Sequence, residues 1–294
     1  MLYYAQGPKA EGSAERVGLA SDGRTPVLQV SDLRVSFPTP RGPFLAVDGV
    51  SLDLNASERL GLIGESGSGK STVALALMRL IKPPGRIESG RVLLGGVDLL
   101  SISEDEMRSR RLADIALVTQ GAMNSLNPVM RIRNQVIDGL RAHGERLDKA
   151  KANASVDELL RHVNLKPEVA DLYPHQLSGG MKQRVCIAIA ISLQPRVIIA
   201  DEPTSALDVV VQRRVIQTLL KVQDVIGASV ILIGHDMGLM AQFAQRMAVM
   251  RHGQIIEVGD VRDVFANPQH AYTRQLMESV PSLRKPGVLG AARA

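Results

Sequence analysis

The stretch GESGSGKS, from Gly64 to Ser71, restricts the possible folds of this chain more than any other part of it. It follows the apolar run RLGLIG (59–64) and leads straight into STVALALMRLI, a helical pattern. Strand, glycine-rich loop and helix therefore come in direct succession. Glycine lets the loop backbone curl until its N–H groups face inward, where they can cradle phosphate oxygens. At this spacing Lys70 reaches the β- and γ-phosphates of a nucleotide, and the Ser71 hydroxyl is placed to ligate Mg2+. Such a loop needs a buried strand behind it and a helix N-terminus in front. That points to an α/β fold, a P-loop NTPase core with a parallel-rich sheet.

The remaining text agrees. Short apolar runs alternate with helical patterns: VLQVSDLRVSF (27–37), SLDL (51–54), IALVTQ (115–120), RVIIAD (196–201) and SVILIG (229–234). Several lack period-2 alternation, as strands covered on both faces do. RMAVMRHGQIIEVG (246–259) reads as a late hairpin, adding an antiparallel β portion. From about 121 to 184 strand signals vanish and helical stretches such as ASVDELLRHV take over, an inserted helical subdomain. The expected division is a flexible extension over 1–26, a main domain over 27–265 and a short C-terminal tail over 266–294.

Composition excludes little. Aromatic residues are 3% with no Trp, so the core must be aliphatic. The net charge of +5 is scattered, and its one tight cluster, RSRR at Arg108 to Arg111, reads as a solvated helix face. Nucleic acid and an anionic membrane leaflet explain that charge equally well. The single cysteine, Cys186, lies in RVCIAIAIS, the setting of a small buried hydrophobe and not of a nucleophile. No window is apolar enough to span a bilayer and no signal peptide is legible, which points to the cytoplasm.

A nucleotide site of this kind needs an acidic residue at the end of another buried strand. RVIIADEP supplies Asp201, placed to hold Mg2+ through water, and Glu202, placed to polarise an attacking water. Two adjacent carboxylates ending an apolar strand call for a cation, and the second one favours a hydrolase over a kinase. Gln120 and His235 close two further apolar strands, at the edge where open parallel sheets bind ligands. HQLSGGMKQRV, 175–185, is a second anion-holding helix start: Ser178, Gly179 and Gly180 precede a helical run.

With the P-loop, LSGGM, IIADEPTSALD and GHD in this order, the chain resembles the ATP-binding subunit of ABC transporters over Val27 to Phe265. SLNPVMRI, YPHQLSGGMKQRV, DEPTSALDVVVQ and NPQHAYTRQLMESVPSL narrow the likeness to dipeptide/oligopeptide importers, whose relatives import nickel, opines and oligosaccharides. The resemblance implies that Gly64 and Ser66, Gly67, Ser68, Gly69, Lys70, Ser71 and Thr72 hold the phosphates of ATP. It implies that Gln120 senses Mg2+ and the γ-phosphate, that Asp201 serves the metal and that Glu202 is the catalytic base. His235 would contact the γ-phosphate, while Leu207 and Asp208 form the D-loop. An aromatic stacks on adenine in the family. Phe37 and Phe44 are both candidates, because PTPRG between them blurs the register, and Phe44 is favoured.

In the resembled family the LSGGM segment binds ATP on the opposite subunit of a head-to-tail dimer, which accounts for two phosphate sites in one polypeptide. The implied partners are a second ABC ATPase (paralogue or self), two transmembrane permease subunits and an extracytoplasmic substrate-binding protein, with no nucleic acid. The expected place is the cytoplasmic face of the inner membrane, with Asn124 to Ile132 receiving the permeases' coupling helices. The signature departs from the commoner form by ending in Met181, and many relatives carry a cysteine-rich iron–sulfur segment, whereas this chain has the single distant Cys186, so no cluster is expected. The alternative is a non-transport ABC ATPase acting on nucleic acid or translation, supported by the basic charge alone.

Overall fold

The structure, a computed structural model, describes residues 25–145 and 148–278. Most of the expected N-terminal extension and the tail beyond Glu278 lie outside the described residues. In chain order the first strands are β1 (Leu28–Thr39), β2 (Gly42–Leu54), β3 (Arg59–Ile63), β4 (Arg86–Leu94) and β5 (Val97–Asp98). They are followed by β6 (Ile115–Val118), β7 (Val197–Asp201), β8 (Ser229–Gly234), β9 (Arg246–Arg251) and β10 (Gln254–Asp260). The helices that matter most are α1 (Lys70–Leu77), α2 (Glu104–Arg110), α3 (Ile132–Ala142), α4 (Lys149–His162), α5 (Gly179–Ala190) and α6 (Val209–Ile226). Near the end of the described chain come α7 (Met237–Phe243), α8 (Val261–Ala266) and α9 (Ala271–Glu278).

Two sheets form. One has the order β10-β9-β3-β8-β7-β6, with every neighbouring pair parallel except β9 and β10. The other, β2-β1-β4-β5, is antiparallel. Successive side chains of the parallel strands go to different cores. Leu60, Leu62, Ile199, Ile231 and Ile233 pack with β1, β2 and α1 between the sheets. Ile198, Ala200, Val230 and Leu232 pack with α5 and α6 on the other side. Both faces are covered, which is the physical reason these runs read as continuously apolar.

The antiparallel sheet is larger than its text suggests. β2 begins at Gly42, not at Ser51, because PTPRG is a hairpin turn in which Pro38 pairs with Pro43 and Thr39 with Gly42. The Thr39 hydroxyl closes the turn by donating to the Gly42 carbonyl at 2.6 Å. β4 was not expected. Most of RIESGRVLL faces solvent, and Gly90 (φ 118°) lies so close to β1 that a Cβ there would stand 2.6 Å from Leu33 Cα. The ladder between Ser31 and Arg34 shifts register at that bulge, so no clean alternation is left in the sequence to read.

The RSRR cluster also differs from its reading as a solvated face. Arg108 is exposed, but Arg110 pairs with Asp114 at 2.7 Å. Arg111 folds inward, donating to the Met78 carbonyl at 3.0 Å and to Glu104 at 2.6 Å. Between β6 and β7 the described chain is helical. Arg133 on α3 ties that block together by pairing with Asp157 on α4 and with Asp171. α5 starts within the block and runs on to Ala190, under the sheet.

At the opposite end from the P-loop, Gln223 on α6 is buried and pairs on both sides. Its amide donates to the Ser57 carbonyl at 2.6 Å and its oxygen accepts from Arg59 at 2.7 Å. Replacing it by Ala leaves the Ser57 carbonyl and one end of the Arg59 guanidinium without this partner, so Gln223→Ala is expected to lower unfolding free energy by about 1–3 kcal/mol in urea titrations, with nucleotide affinity unchanged.

Candidate functional site

Register decides where the site lies. Ile63 pairs with Gly234, Ile233 with Asp201 and Val118 with Ala200, so the four parallel strands end level. The residues that follow, Gly64, His235, Glu202 and Gln120, therefore leave the sheet along one edge, as ligand sites in open parallel sheets do. They surround a cleft of about 730 Å³ lined by Phe37, Phe44, Ala46, Ser66, Gly67, Gly69, Lys70, Ser71, Thr72, Gln120, Glu202 and His235.

The loop is held in place by contacts that only glycine permits. Gly64 (φ 152°) and Gly69 (φ 104°) have conformations that L side chains rarely adopt. A Cβ on Gly64 would stand 2.2 Å from the Met250 carbonyl oxygen, and one on Gly69 would stand 2.3 Å from that of Ala46. The loop thus rests on β2 and on the end of β9, and the Ser68 carbonyl accepts from the Gly253 N–H at 3.0 Å. No side chain caps α1, whose N-cap is Gly69 itself, so its first N–H groups remain directed at whatever sits in the loop.

Lys70 is buried and its ammonium is gathered by the loop, donating to the carbonyls of Gly64 and Glu65 at 2.7 Å each and to the Ser68 hydroxyl at 3.2 Å. Burial lowers its pKa, while Glu202, Asp201 and Glu65 act to raise it. Asp201 accepts from the Ser71 hydroxyl at 3.1 Å. Its pKa is raised, chiefly by burial; the Ser71 hydrogen bond opposes this, the neighbouring Glu202 adds to it and Lys70 offsets part of it. A buried carboxylate beside a hydroxyl, short of positive charge, is the donor set a hard divalent cation takes. Glu202 is fixed at both oxygens: Gln120 Nε2 donates to one at 2.8 Å, and His235 Nδ1 lies 3.3 Å from the other. Its backbone has φ 44°, unusual for a non-glycine residue, and its N–H donates to the Ile233 carbonyl at 2.9 Å.

Phe37 and Phe44 are directly paired across β1 and β2 and both line the cleft. They differ in freedom. The Phe37 ring lies flat against Gly85, where a Cβ would come within 2.4 Å of it, whereas Phe44 is 56% exposed.

Ser178, Gly179, Gly180 and Asp208 are not brought to this cleft. Ser178 is the N-cap of α5, its hydroxyl oxygen accepting from the Met181 N–H at 3.4 Å. The glycines are there for packing: a Cβ on Gly180 would stand 2.4 Å from Val211 Cγ1, and one on Gly179 would stand 3.1 Å from Leu207. Asp208 caps α6 by accepting from the Val211 N–H at 2.9 Å. The two segments form one exposed surface with Val209 and Val210, which are 64% and 61% exposed. Met181 packs its side chain against the helical core. Cys186 is buried, donates to the Ala122 carbonyl at 3.2 Å and has its thiol pushed up to about 12 by burial. Among the residues 124–132, Val129 is 83% exposed, and Asn127 is braced by Gln135 through bonds of 2.9 and 3.1 Å.

Sequence reasoning missed Ala46, Gly253 and Tyr272, which touch the loop from segments far along the chain. The Glu65 N–H donates to the Tyr272 hydroxyl at 3.1 Å, across 207 residues. No local pattern marks such contacts.

Comparison with known proteins places the chain by sequence and by fold. The family profile described as "ABC transporter" matches residues 47–205, and "Oligopeptide/dipeptide transporter, C-terminal region" matches 256–292. The oligopeptide transport ATP-binding protein OppD of Bacillus subtilis is 43% identical over 266 residues, 90% of this chain and 74% of that protein. The dipeptide transport ATP-binding protein DppD of Haemophilus influenzae is 44% identical over 257 residues, 87% of this chain and 78% of its own. A solved dimeric structure of the ATP-binding cassette MJ0796, in a post-hydrolysis state bound to ADP and Pi, superposes with a TM-score of 0.71. The identity is 26%, over 80% of this chain and 99% of that one.

Because the pKa of Asp201 is raised above its unfolded value of 3.8, its contribution to stability is full below that value and is lost as pH rises through the higher folded one. Ionising this carboxylate therefore works against the fold. Asp201→Asn is expected to melt at a higher temperature than the wild type in chelator, without nucleotide; a lower melting temperature would contradict this account.

Proposed function

The chain belongs to the ABC transporter family of ATP-binding proteins, and from that premise we propose that it is the ATP-hydrolysing subunit of an importer for peptides or a related small solute. The observation that carries the reading is the cleft at the carboxyl edge of the sheet. There a glycine loop, a buried ammonium, two carboxylates, a glutamine and a histidine converge. The names of the relatives, oligopeptide and dipeptide transport ATP-binding proteins, supply the solute class.

In this reading the loop N–H groups and the N-terminus of α1 bind the phosphates of ATP, Lys70 meets the β- and γ-phosphates from its place among the loop carbonyls, and Phe44 stacks on adenine. Ser71, Asp201 and Gln120 hold Mg2+, which when bound neutralises developing charge on the phosphate oxygens. Glu202 accepts the proton of the attacking water as the water oxygen bonds to the γ-phosphorus and the bond from that phosphorus to the β,γ-bridging oxygen breaks, releasing ADP and phosphate. Gln120 and His235, which touch its two oxygens, hold that carboxylate in line and also read the γ-phosphate. This couples the presence of substrate to the position of the base.

Ser178 and Asp208 are exposed apart from the cleft, with Gly179 half-buried and Gly180 buried beside them. We assign them to the γ-phosphate and interface of a second ATPase subunit, so that each composite site takes its P-loop from one chain and its signature from the other. Since Ser178 uses its hydroxyl oxygen as an acceptor toward Met181, its proton is free to be donated to a phosphate. Hydrolysis then removes the tether between subunits, and their separation drives two permease subunits between states. The exposed Val129 and its neighbours from Asn124 to Ile132 are the docking surface for those permeases. An extracytoplasmic binding protein delivers the solute, and the chain works peripherally at the cytoplasmic face of the membrane. Among the described residues no helix is long and apolar enough to cross a membrane.

Two variants test the chemistry and the shared site separately. Glu202→Gln is expected to bind ATP and dimerise while turnover falls by about 10²–10⁴-fold, the usual worth of a general base; undiminished phosphate release would remove Glu202 from that role. Ser178→Arg is expected to keep ATP binding by the isolated chain while ATP-driven dimerisation, followed by light scattering, and hydrolysis both fail. Loss of ATP binding by the isolated chain would mean that α5 serves its own P-loop.

A further inference from the structure

The tail helix α9 is wired to the phosphate loop by a single side chain. Tyr272 is 3% exposed, and its hydroxyl oxygen accepts from the Glu65 N–H at 3.1 Å. That N–H belongs to the Gly64–Glu65 peptide, whose carbonyl oxygen accepts from Lys70 Nζ at 2.7 Å. A trans peptide is planar with its C=O and N–H pointing in opposite directions. One rigid unit is therefore held at one end by the lysine that meets the phosphates and at the other by the tyrosine. Gly64 has no side chain to restrain this unit and sits at φ 152°, a conformation that other residues rarely adopt. The tyrosine supplies from outside the restraint that glycine cannot.

The rest of the segment aims that hydroxyl. Buried Glu257 on β10 accepts from the Gln269 and His270 N–H groups at 2.8 and 3.0 Å, bringing the chain back to the sheet. His270 Nδ1 accepts from the Tyr272 N–H at 3.0 Å, and the Arg251 guanidinium lies 4.6 Å above the Tyr272 ring. Thr273 is fully buried beside it. Burial, as the largest influence, raises the pKa of the Tyr272 hydroxyl, which keeps it neutral. A neutral hydroxyl pairs with an amide without drawing the ammonium of Lys70 out of the loop. Tail packing alone would be served by phenylalanine. The hydroxyl instead pairs with Glu65 of the loop, at both its N–H and its side chain.

We propose that Tyr272 is a positioning residue for nucleotide: through its hydroxyl it fixes the Gly64–Glu65 peptide, and with it the Lys70 ammonium, in the arrangement that receives phosphate. This rests on the reading of the loop as an ATP site. Tyr272→Phe keeps the ring, its burial and the arginine above it, and removes the hydroxyl alone. The variant is expected to melt close to the wild type, to exchange its Glu65 amide hydrogen faster in residue-resolved exchange, and to bind ATP about three- to tenfold more weakly, the range of one neutral hydrogen bond. KM for ATP should rise by the same factor while kcat at saturating ATP holds. Unchanged ATP affinity and unchanged Glu65 exchange would overturn the proposal whatever the melting temperature did, as would a fall in kcat at constant KM. If the wild type itself bound no ATP, the nucleotide reading would fail, and this role with it. A wild type that binds ATP alongside a variant that binds it equally well would sink this role alone.

Discussion

A buried ammonium sets the terms for the rest of this molecule. Lys70 is held by two loop carbonyls and a hydroxyl, in a position walled by aliphatic strands and facing two carboxylates. Burial works against charge on both sides, lowering the pKa of Lys70 and raising that of Asp201. Neither group is fully compensated by the other, and this deficit is what a nucleotide with its metal can fill. A site at balance without its ligand would have less to gain by binding one. The surrounding fold tolerates the cost because two aliphatic cores sandwich the sheet that carries it.

The loop around Lys70 is rigid although it is rich in glycine. Gly64 and Gly69 press against carbonyls of Met250 and Ala46, Gly253 bonds the Ser68 carbonyl, and Tyr272 takes the Glu65 amide. Those four supports come from β2, β9, the β9–β10 turn and α9. Glycine in such a loop is needed for close approach as much as for unusual dihedral angles. In the function proposed above, phosphate binding is thereby linked to the tail segment, which packs on the back of the loop. A second link runs through Glu202, whose carboxylate is shared by Gln120 at the entrance to the helical block and by His235 at the end of β8.

Much of the parallel sheet could be read directly, because strands buried on both faces are written as short unbroken apolar runs, as in RVIIAD and SVILIG. The antiparallel sheet could not. Its outer face is wet, Gly90 bulges the ladder, and the prolines of PTPRG look like a break in a strand where they are the turn of a hairpin. Arg111 was misread for a related reason: a charge cluster gives no sign that one of its members will fold inward onto Met78. At the site, motif spacing named the groups that stand around the cleft. It did not separate Phe37, whose ring is lodged against Gly85, from the freer Phe44, since both differ only in what lies across from them.

The sequence alone determined which chemical groups are present and what each needs locally: glycines where the loop must turn, a lysine and a hydroxyl after them, acids at the end of an apolar strand. These are short-range matters of dihedral angle and hydrophobic period, so they are legible within a dozen residues. Only the tertiary structure decided that β8 lies between β3 and β7, so that Lys70, Asp201, Glu202 and His235 meet at one edge. It alone decided that Ser178 and Asp208 stand elsewhere, back to back through Gly180 and Val211. It also decided that a tyrosine 207 residues downstream would complete the phosphate loop. Those outcomes depend on how separate segments pack against each other, and no stretch of sequence contains both sides of such a contact.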